Sequence, residues 1–113
     1  MTLHDDSVRW RHMLDHALSV QRMLVGRDRS DLDQNEMFRL ALVRAIEVIG
    51  EAAGKVSPDG RQAHPDIPWS QMAAARNRLI HGYDIINLDI LWRIASEDVP
   101  PLIVKLRKML GEE

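Results

Sequence analysis

The segment from Met37 to Ala53 constrains the fold more than any other part of the chain. Its apolar residues recur at intervals of three and four positions, so they form two neighbouring stripes on a helix. The first stripe comprises Phe38, Leu42, Ile46, Ile49 and Ala53, and the second comprises Met37, Leu40, Ala41, Ala45, Val48 and Ala52. A helix that is apolar on more than one side is buried between its neighbours. The pattern therefore predicts the central helix of a bundle, opened by Asp33 and Glu36 as a capping box.

Helical spacing also marks three other segments. A first helix spans about Ser7 to Gly26, where the glycine is placed to end it. The stretch from Ser57 to Pro68 is rich in proline and glycine and predicts a loop, with Pro68 in the first turn of a third helix. A last helix runs from Leu88 to Leu110, and its phase continues across Pro100-Pro101. Two missing N–H donors predict a kink or a short break there.

The fold class follows from what the chain has and what it lacks. No segment alternates between apolar and polar residues with period two over a useful length. A length of 113 residues suits one domain, and 45% hydrophobic with 28% charged residues is typical of soluble globular proteins. We expect an all-α, antiparallel four- to five-helix bundle in which residues 1–113 form a single domain.

The composition excludes several classes of function. Without cysteine, the chain has no disulfide, thiolate metal site or cysteine nucleophile, and we expect neither a metal nor a cofactor. The acidic start Met1–Asp6 is unlike a secretion signal and no long uncharged run occurs, so we expect a cytoplasmic protein without membrane contact. The net charge of −2 gives no overall attraction for nucleic acid, which would need a local patch or a dimer groove.

Two motifs suggest binding sites but lack the residues that such sites require. Gly50 and Gly54 are separated by only three residues, and Val56 stands where a phosphate loop needs serine or threonine. Close helix packing is the better interpretation of these glycines. His12 and His16 have a metal-capable spacing but lack the glutamate of a zinc protease, so a solvated helix face is expected.

The chemistry is concentrated in the third predicted helix. Arg76 is followed five residues later by His81 and then by Tyr83, the only tyrosine of the chain. On a continuous helix, Arg76, Ile80 and Tyr83 lie near one line, while Asn77 and His81 form a neighbouring line. Imidazole can take a proton from a ribose 2′-hydroxyl or give one to the leaving oxygen, and guanidinium can stabilise the phosphoryl charge. This pair can therefore cleave RNA without a metal.

The surrounding residues separate this pair from chance. Arg11 and His16 have the same spacing, but Leu18 occupies the position of the tyrosine and no asparagine follows the arginine. Only the later pair has both accompanying residues.

The chain resembles the HepT-like toxins of the HEPN domain superfamily. The resemblance rests on four stretches in a fixed order, which are Ala45–Ala53, His64–Trp69, Arg76–Tyr83 and Leu91-Trp92. Together they span most of the chain. The Pro100-Pro101 pair is unusual for the last helix of this family.

The resemblance implies a homodimer in which Arg76 and His81 of both subunits face each other in one cleft, forming a metal-independent endoribonuclease. By the same likeness, Asn77 is a supporting polar group. Two copies of Arg76 and Arg78 would line one groove, with Arg78 on RNA phosphate, which answers the objection raised by the slightly acidic monomer.

The resemblance also implies a partner protein. Toxins of this kind are accompanied by a small MntA-like nucleotidyltransferase antitoxin, which transfers AMP to the motif's tyrosine, here Tyr83. A bulky anion near the catalytic groups would fill the cleft and repel an RNA phosphate.

Each site residue also has a purely structural interpretation. His81 with Gly82 is also typical of a helix C-terminus, where a glycine caps and a histidine interacts with the last carbonyls. Arg76 is placed to form a salt bridge with Glu47 or Glu51 of the neighbouring helix.

Two other functions remain open at this level. Tyr83 is equally suited to an interface, with its ring buried and its hydroxyl wet. One alternative is a non-catalytic subunit, which binds either a nucleotide or a separate nucleotidyltransferase. The other is a plain dimeric scaffold.

Overall fold

The computed structural model of the protein describes residues 3–81 and 85–112. Within them, eight α-helices are arranged along the chain with one π-helical turn and two short strands. The α-helices are α1 (Leu3–Leu24), α2 (Asp31–Gln34), α3 (Glu36–Gly54), α4 (Pro58–Ala63), α5 (Trp69–Ala73), α6 (Ala75–Leu79), α7 (Leu88–Arg93) and α8 (Val99–Met109). The π-turn is Ile94–Asp98, and the strands are β1 (Ile80–His81) and β2 (Ile85–Ile86).

The core lies between the three long helices. α1 packs along α3 and against α8, and the short α5 and α6 cover another part of α3. Met13, Leu42, Ile46 and Leu106 are among the fully buried side chains that these helices contribute. The predicted all-α bundle is confirmed, with one small antiparallel strand pair in the described residues. None of the described helices is long and apolar enough to cross a membrane.

α3 is buried on one broad side rather than all round. The first predicted stripe, from Phe38 to Ala53, is buried throughout. In the second stripe, Ala45 and Ala52 are buried, but Met37 is 83% exposed and Leu40 is 52% exposed. The prediction of burial on more than one side is therefore wrong for the first half of the helix.

The start of α3 also differs from the prediction. Its N-cap is Asn35, whose side chain accepts a hydrogen bond from the Phe38 N–H at 3.0 Å. Asp33 lies instead within α2, so the capping box with Glu36 is not formed. Asn35 has extended backbone angles, which end α2 and let its side chain turn back onto α3.

The segment predicted as a loop from Ser57 contains a helix. The Ser57 side chain accepts from the Gly60 N–H at 3.0 Å, and Pro58 occupies the first helical position of α4. Serine followed by proline is a typical helix start, which the high proline and glycine content of the stretch obscured.

The third predicted helix is broken twice. α5 and α6 meet at Ala74, and α6 ends at Leu79 because Ile80 adopts extended backbone angles, φ −106° and ψ 118°. β1 then pairs antiparallel with β2, with Ile80 opposite Ile86 and His81 opposite Ile85. The prediction of two helical lines through Arg76 and His81 is therefore wrong, since His81 lies beyond the helix. The same break rules out His81 as part of a helix C-terminus.

The last predicted helix contains an irregular turn. α7, the π-turn and α8 follow one another without a gap. The π-turn ends at Asp98, directly before the helix start that contains Pro100 and Pro101. Neither proline has an N–H, so neither can donate the i→i−4 hydrogen bond of an α-helix. Because the preceding turn is π-helical, fewer bonds of that kind are expected there in the first place. The irregularity therefore lies at Ile94–Asp98, before the prolines rather than at them, and it is a π-helical turn rather than a break in the helix.

Candidate active site

Arg76 projects from α6 towards α3 and forms an ion pair there. Its Nε lies 3.3 Å from Oε2 of Glu47. The arginine side chain is 71% exposed, whereas that of Glu47 is only 19% exposed. The salt bridge expected as an alternative role is therefore present. An ion pair this exposed contributes little to stability, on the order of 0–1 kcal/mol. The guanidinium remains accessible to a ligand from solvent.

A glycine allows α5 and α6 to come this close to α3. A Cβ atom at Gly50 would lie 2.6 Å from the backbone oxygen of Met72, a distance that no side chain tolerates. At Gly54 the nearest atom would be Cβ of Ala73, at an ordinary 3.8 Å. The interpretation as a close-packing residue is confirmed for Gly50, whereas the contact at Gly54 does not require a glycine. This contact sets the position of the segment that carries Arg76.

Arg78 faces a different part of the bundle. Two residues along a helix correspond to a rotation of about 200°, so Arg76 and Arg78 leave α6 on different sides. Arg78 is half-buried and lines a cavity of about 130 Å³ with Asp98, Pro101 and Leu102 from the π-turn and α8. Within one chain, the two arginines therefore do not share a groove. Their shared groove in a dimer stays a prediction.

The remaining predicted site residues lie around the end of α6. Asn77 is exposed on the helix surface. His81 is the last residue of β1, but its side chain is not among the described parts of the structure. Gly82 and Tyr83 lie outside the described residues altogether. The Asn87 N–H donates to the Leu79 carbonyl at 2.7 Å and fixes the point at which the chain leaves α6.

The stretch His64–Trp69 has a structural role that the sequence did not reveal. The indole N–H of Trp69 donates to the His64 carbonyl at 3.0 Å, which closes the loop before α5. The His64 ring packs edge-on against Trp10, with ring centroids 5.1 Å apart and planes at 85°. These contacts join α1 to the start of α5, so they help to position the segment that carries the arginines.

Histidines on α1 do not form part of this site. His12 is exposed, and Nδ1 of His16 lies 2.9 Å from the His12 carbonyl. The expected solvated face is confirmed for this pair. No group of three potential metal ligands occurs in the described parts of the chain.

Sequence comparisons identify the relatives of this chain. A family model described as "Ribonuclease HepT-like" matches residues 13–109. The chain is 39% identical over 90 residues to "Putative RNase MJ1380" of Methanocaldococcus jannaschii, which covers 80% of this chain and 83% of that protein. It is 30% identical over 107 residues to "Putative RNase TTE0752" of Caldanaerobacter subterraneus, covering 91% and 96%. It is also 41% identical over 71 residues to "Probable ribonuclease HepT" of Thermococcus cleftensis, covering 63% and 64%. No solved structure matches the chain significantly.

These matches confirm the resemblance stated from the four sequence stretches. The family model covers most of the bundle, from the middle of α1 to the end of α8. The matched range includes Glu47, Gly50 and Arg76, and thus the ion pair and the close helix contact described above. The chain therefore belongs to the HepT-like ribonuclease family, and ribonuclease is the class of enzyme to which it is assigned.

Proposed function

We propose that the protein is a metal-independent endoribonuclease toxin that cleaves RNA with Arg76 and His81. One observation carries the proposal beyond family membership. The Arg76 guanidinium is 71% exposed, yet it is oriented by the largely buried carboxylate of Glu47. A fixed and accessible cation of this kind suits the binding of a phosphoryl group, because little ordering remains to be done when RNA binds.

The roles of the residues follow from their chemistry. His81 acts as the general acid or base on the ribose 2′-hydroxyl or the leaving oxygen, and Arg76 stabilises the charge that develops on the phosphoryl oxygens. Asn77, exposed beside Arg76, supplies further hydrogen bonds. Arg78 contacts an RNA phosphate on the other side of α6.

The proposed active form is a homodimer in which Arg76 and His81 of both subunits share one cleft. Two copies each of Arg76 and Arg78 would supply the local positive charge that a chain of net charge −2 lacks overall. Sedimentation equilibrium should give twice the chain mass of 13.0 kDa at micromolar concentration. A monomer under these conditions would contradict the shared cleft.

The proposed regulator is a nucleotidyltransferase antitoxin that transfers AMP to Tyr83. This residue follows His81 by two positions, so a nucleotide attached to it would place negative charge beside the catalytic groups. Intact mass should rise by whole AMP units after co-expression with such an enzyme. Tyr83→Phe should abolish that increase, and an unchanged increase would place the acceptor elsewhere.

Cleavage of RNA in excess EDTA tests the proposed function directly. Wild-type protein, confirmed by mass to be unmodified, should cleave, while Arg76→Ala and His81→Ala should be inactive and melt within a few degrees of wild type. Arg93→Ala and His12→Ala are matched controls on exposed positions and should retain activity. Failure of the folded wild-type dimer to cleave a broad panel of RNAs, while it still binds nucleotide, would favour the non-catalytic subunit instead.

A further inference from the structure

The cavity beside Arg78 is not accounted for by the proposed catalytic pair. It has a volume of about 130 Å³ and lies between the α5–α6 segment on one side and the π-turn with α8 on the other. We call it the Asp98 pocket. Its apolar lining consists of Pro68, Met72, Pro101 and Leu102, its charged groups are Arg78, Asp98 and Lys105, and Gln71 adds one neutral polar side chain.

The apolar wall of the Asp98 pocket suits a flat ring. Met72 and Leu102 are 6% and 3% exposed, so both side chains are packed in the core and present only a small apolar surface to the pocket. A cavity of roughly 150 Å³ holds a benzene ring. The pocket therefore takes one ring of a base, edge first, and leaves the sugar and phosphate of a nucleotide at its mouth.

The charged groups of the pocket are two cations and one carboxylate. Among the described residues, neither Arg78 nor Asp98 has an ion-pair partner, although both line the same small cavity. Lys105 is held by a hydrogen bond from Nζ to the Asp66 carbonyl at 2.7 Å, which leaves its other ammonium hydrogens available. Two cations against one carboxylate favour an anionic ligand, but a phosphate alone would be repelled by Asp98.

A carboxylate can only accept hydrogen bonds, so the ligand must present donors to Asp98. Guanine offers two adjacent donors on its Watson–Crick edge, the ring N–H and the exocyclic amino group, and these match the two oxygens of a carboxylate. Adenine and cytosine offer a single amino group, and uracil a single ring N–H. Unstacked bases of single-stranded RNA are commonly recognised along this edge.

We propose that the Asp98 pocket binds a guanine base of the RNA substrate. Asp98 accepts from the two donors of the base, while Arg78 and Lys105 contact the adjoining phosphate. The inference rests on the proposed ribonuclease function, which supplies RNA as the source of the base. It gives the π-turn a role, since that turn places Asp98 opposite α6, with only Val99 between it and Pro100-Pro101.

Nucleotide binding tests the pocket without any need for cleavage. Isotope-labelled protein is titrated to millimolar concentration with guanosine and inosine 5′-monophosphates, which differ only by the exocyclic amino group. Guanosine monophosphate should shift the backbone amide signals of Met72, Asp98 and Leu102 and bind at least about fivefold more tightly than the inosine form. Asp98→Asn should remove this preference. Glu97→Gln, which changes the neighbouring carboxylate near Arg93, should leave it intact.

Cleavage of matched RNAs identifies the source of the base. Wild-type protein should cleave a short RNA with one guanine several times faster than the same RNA with inosine at that position, and Asp98→Asn should cleave both at similar rates. Equal affinity for the two mononucleotides, or signals shifted away from the pocket, would overturn the proposal. Guanine-selective binding with equal cleavage of the two RNAs would overturn RNA as the source. Guanine-selective binding without any cleavage would support the pocket and contradict the ribonuclease function.

Discussion

Glu47 on α3 and Arg76 on α6 form an ion pair across the helix interface, with Oε2 and Nε 3.3 Å apart. The glutamate is mostly enclosed and the arginine is mostly exposed, so the pair restricts the direction of the guanidinium without covering it. An orienting contact of this kind matters more for catalysis than for stability, because exposed ion pairs contribute on the order of 1 kcal/mol or less. Glu47 is thus a positioning residue for the proposed reaction.

Replacement of Glu47 by glutamine should lower kcat for RNA cleavage on the order of tenfold. The uncharged amide holds the guanidinium less firmly, and small misplacements of catalytic groups reduce rates by large factors. KM and the melting temperature should change little. Glu51→Gln is the matched control, since Glu51 pairs with Arg44 at a similar 3.3 Å on the exposed side of α3. Faster cleavage by Glu47→Gln would show instead that the pair restrains Arg76 from acting.

A substitution at Gly50 tests whether the close contact between α3 and α5 positions the segment that carries Arg76. Gly50→Ala should destabilise the protein by about 1–3 kcal/mol, because the added Cβ would meet the Met72 carbonyl oxygen and must push α5 away from α3. Activity of the folded fraction should also fall, since α6 follows α5. Urea unfolding and cleavage rates measure the two effects.

Gly54→Ala is the control for that substitution. Its Cβ would meet only Ala73 at 3.8 Å, so we expect a neutral change or a gain of up to about 1 kcal/mol from the better helix former. Equal destabilisation at both positions would mean that the close contact at Gly50 is not what limits the approach of α5.

The long elements were predictable because periodicity accumulates over several turns. α1, α3 and the last helix each show repeated apolar positions, and Gly26 ends the first helix with φ +72° as its position suggested. The exposure of Met37 and Leu40 was not predictable, because periodicity identifies an apolar face but not whether a neighbour covers it.

The short elements depend on local or tertiary contacts that periodicity does not record. α4 has only six residues, and its start is determined by the Ser57 cap. The end of α6 depends on the pairing of Ile80 with Ile86. The sequence pattern did not link these two residues. The arginine and two candidate acidic partners, Glu47 and Glu51, could be named from the sequence, and the structure selects Glu47. The Asp98 pocket required knowledge of how the π-turn faces α6.

Asn87 joins the end of α6 to the start of α7. Its backbone N–H donates to Leu79, and its side chain accepts from the Ile90 N–H at 3.0 Å as the N-cap of α7. Asn87→Ala should cost about 1 kcal/mol, the usual value for a lost N-cap, and should also lower RNA cleavage because α7 adjoins the strand pair that carries His81. Asn35→Ala removes the corresponding cap of α3 at 3.0 Å and should cost similar stability with a smaller effect on cleavage. Equal losses of activity would remove any specific link between Asn87 and the site.

A buried polar network at the start of α1 was not anticipated from the sequence. Asp6 is 0% exposed, and it accepts hydrogen bonds from the Ser57 N–H at 2.8 Å and from the Ser57 hydroxyl. Gly60 packs so closely that a Cβ there would collide with Oδ2 of Asp6. The network joins α4 to α1.

Asp6→Ala should destabilise the protein by roughly 2–3 kcal/mol, because it leaves the buried donors of Ser57 without an acceptor. Asp59→Ala removes an exposed carboxylate from the first turn of α4 and should cost less than about 1 kcal/mol. Urea unfolding of both variants measures the difference. RNA cleavage by the folded Asp6→Ala protein should remain close to wild type, since no described contact links Asp6 to Arg76 or Glu47. A neutral Asp6→Ala would mean that Ser57 finds other partners when the carboxylate is removed, and that the network does not hold α4 in place.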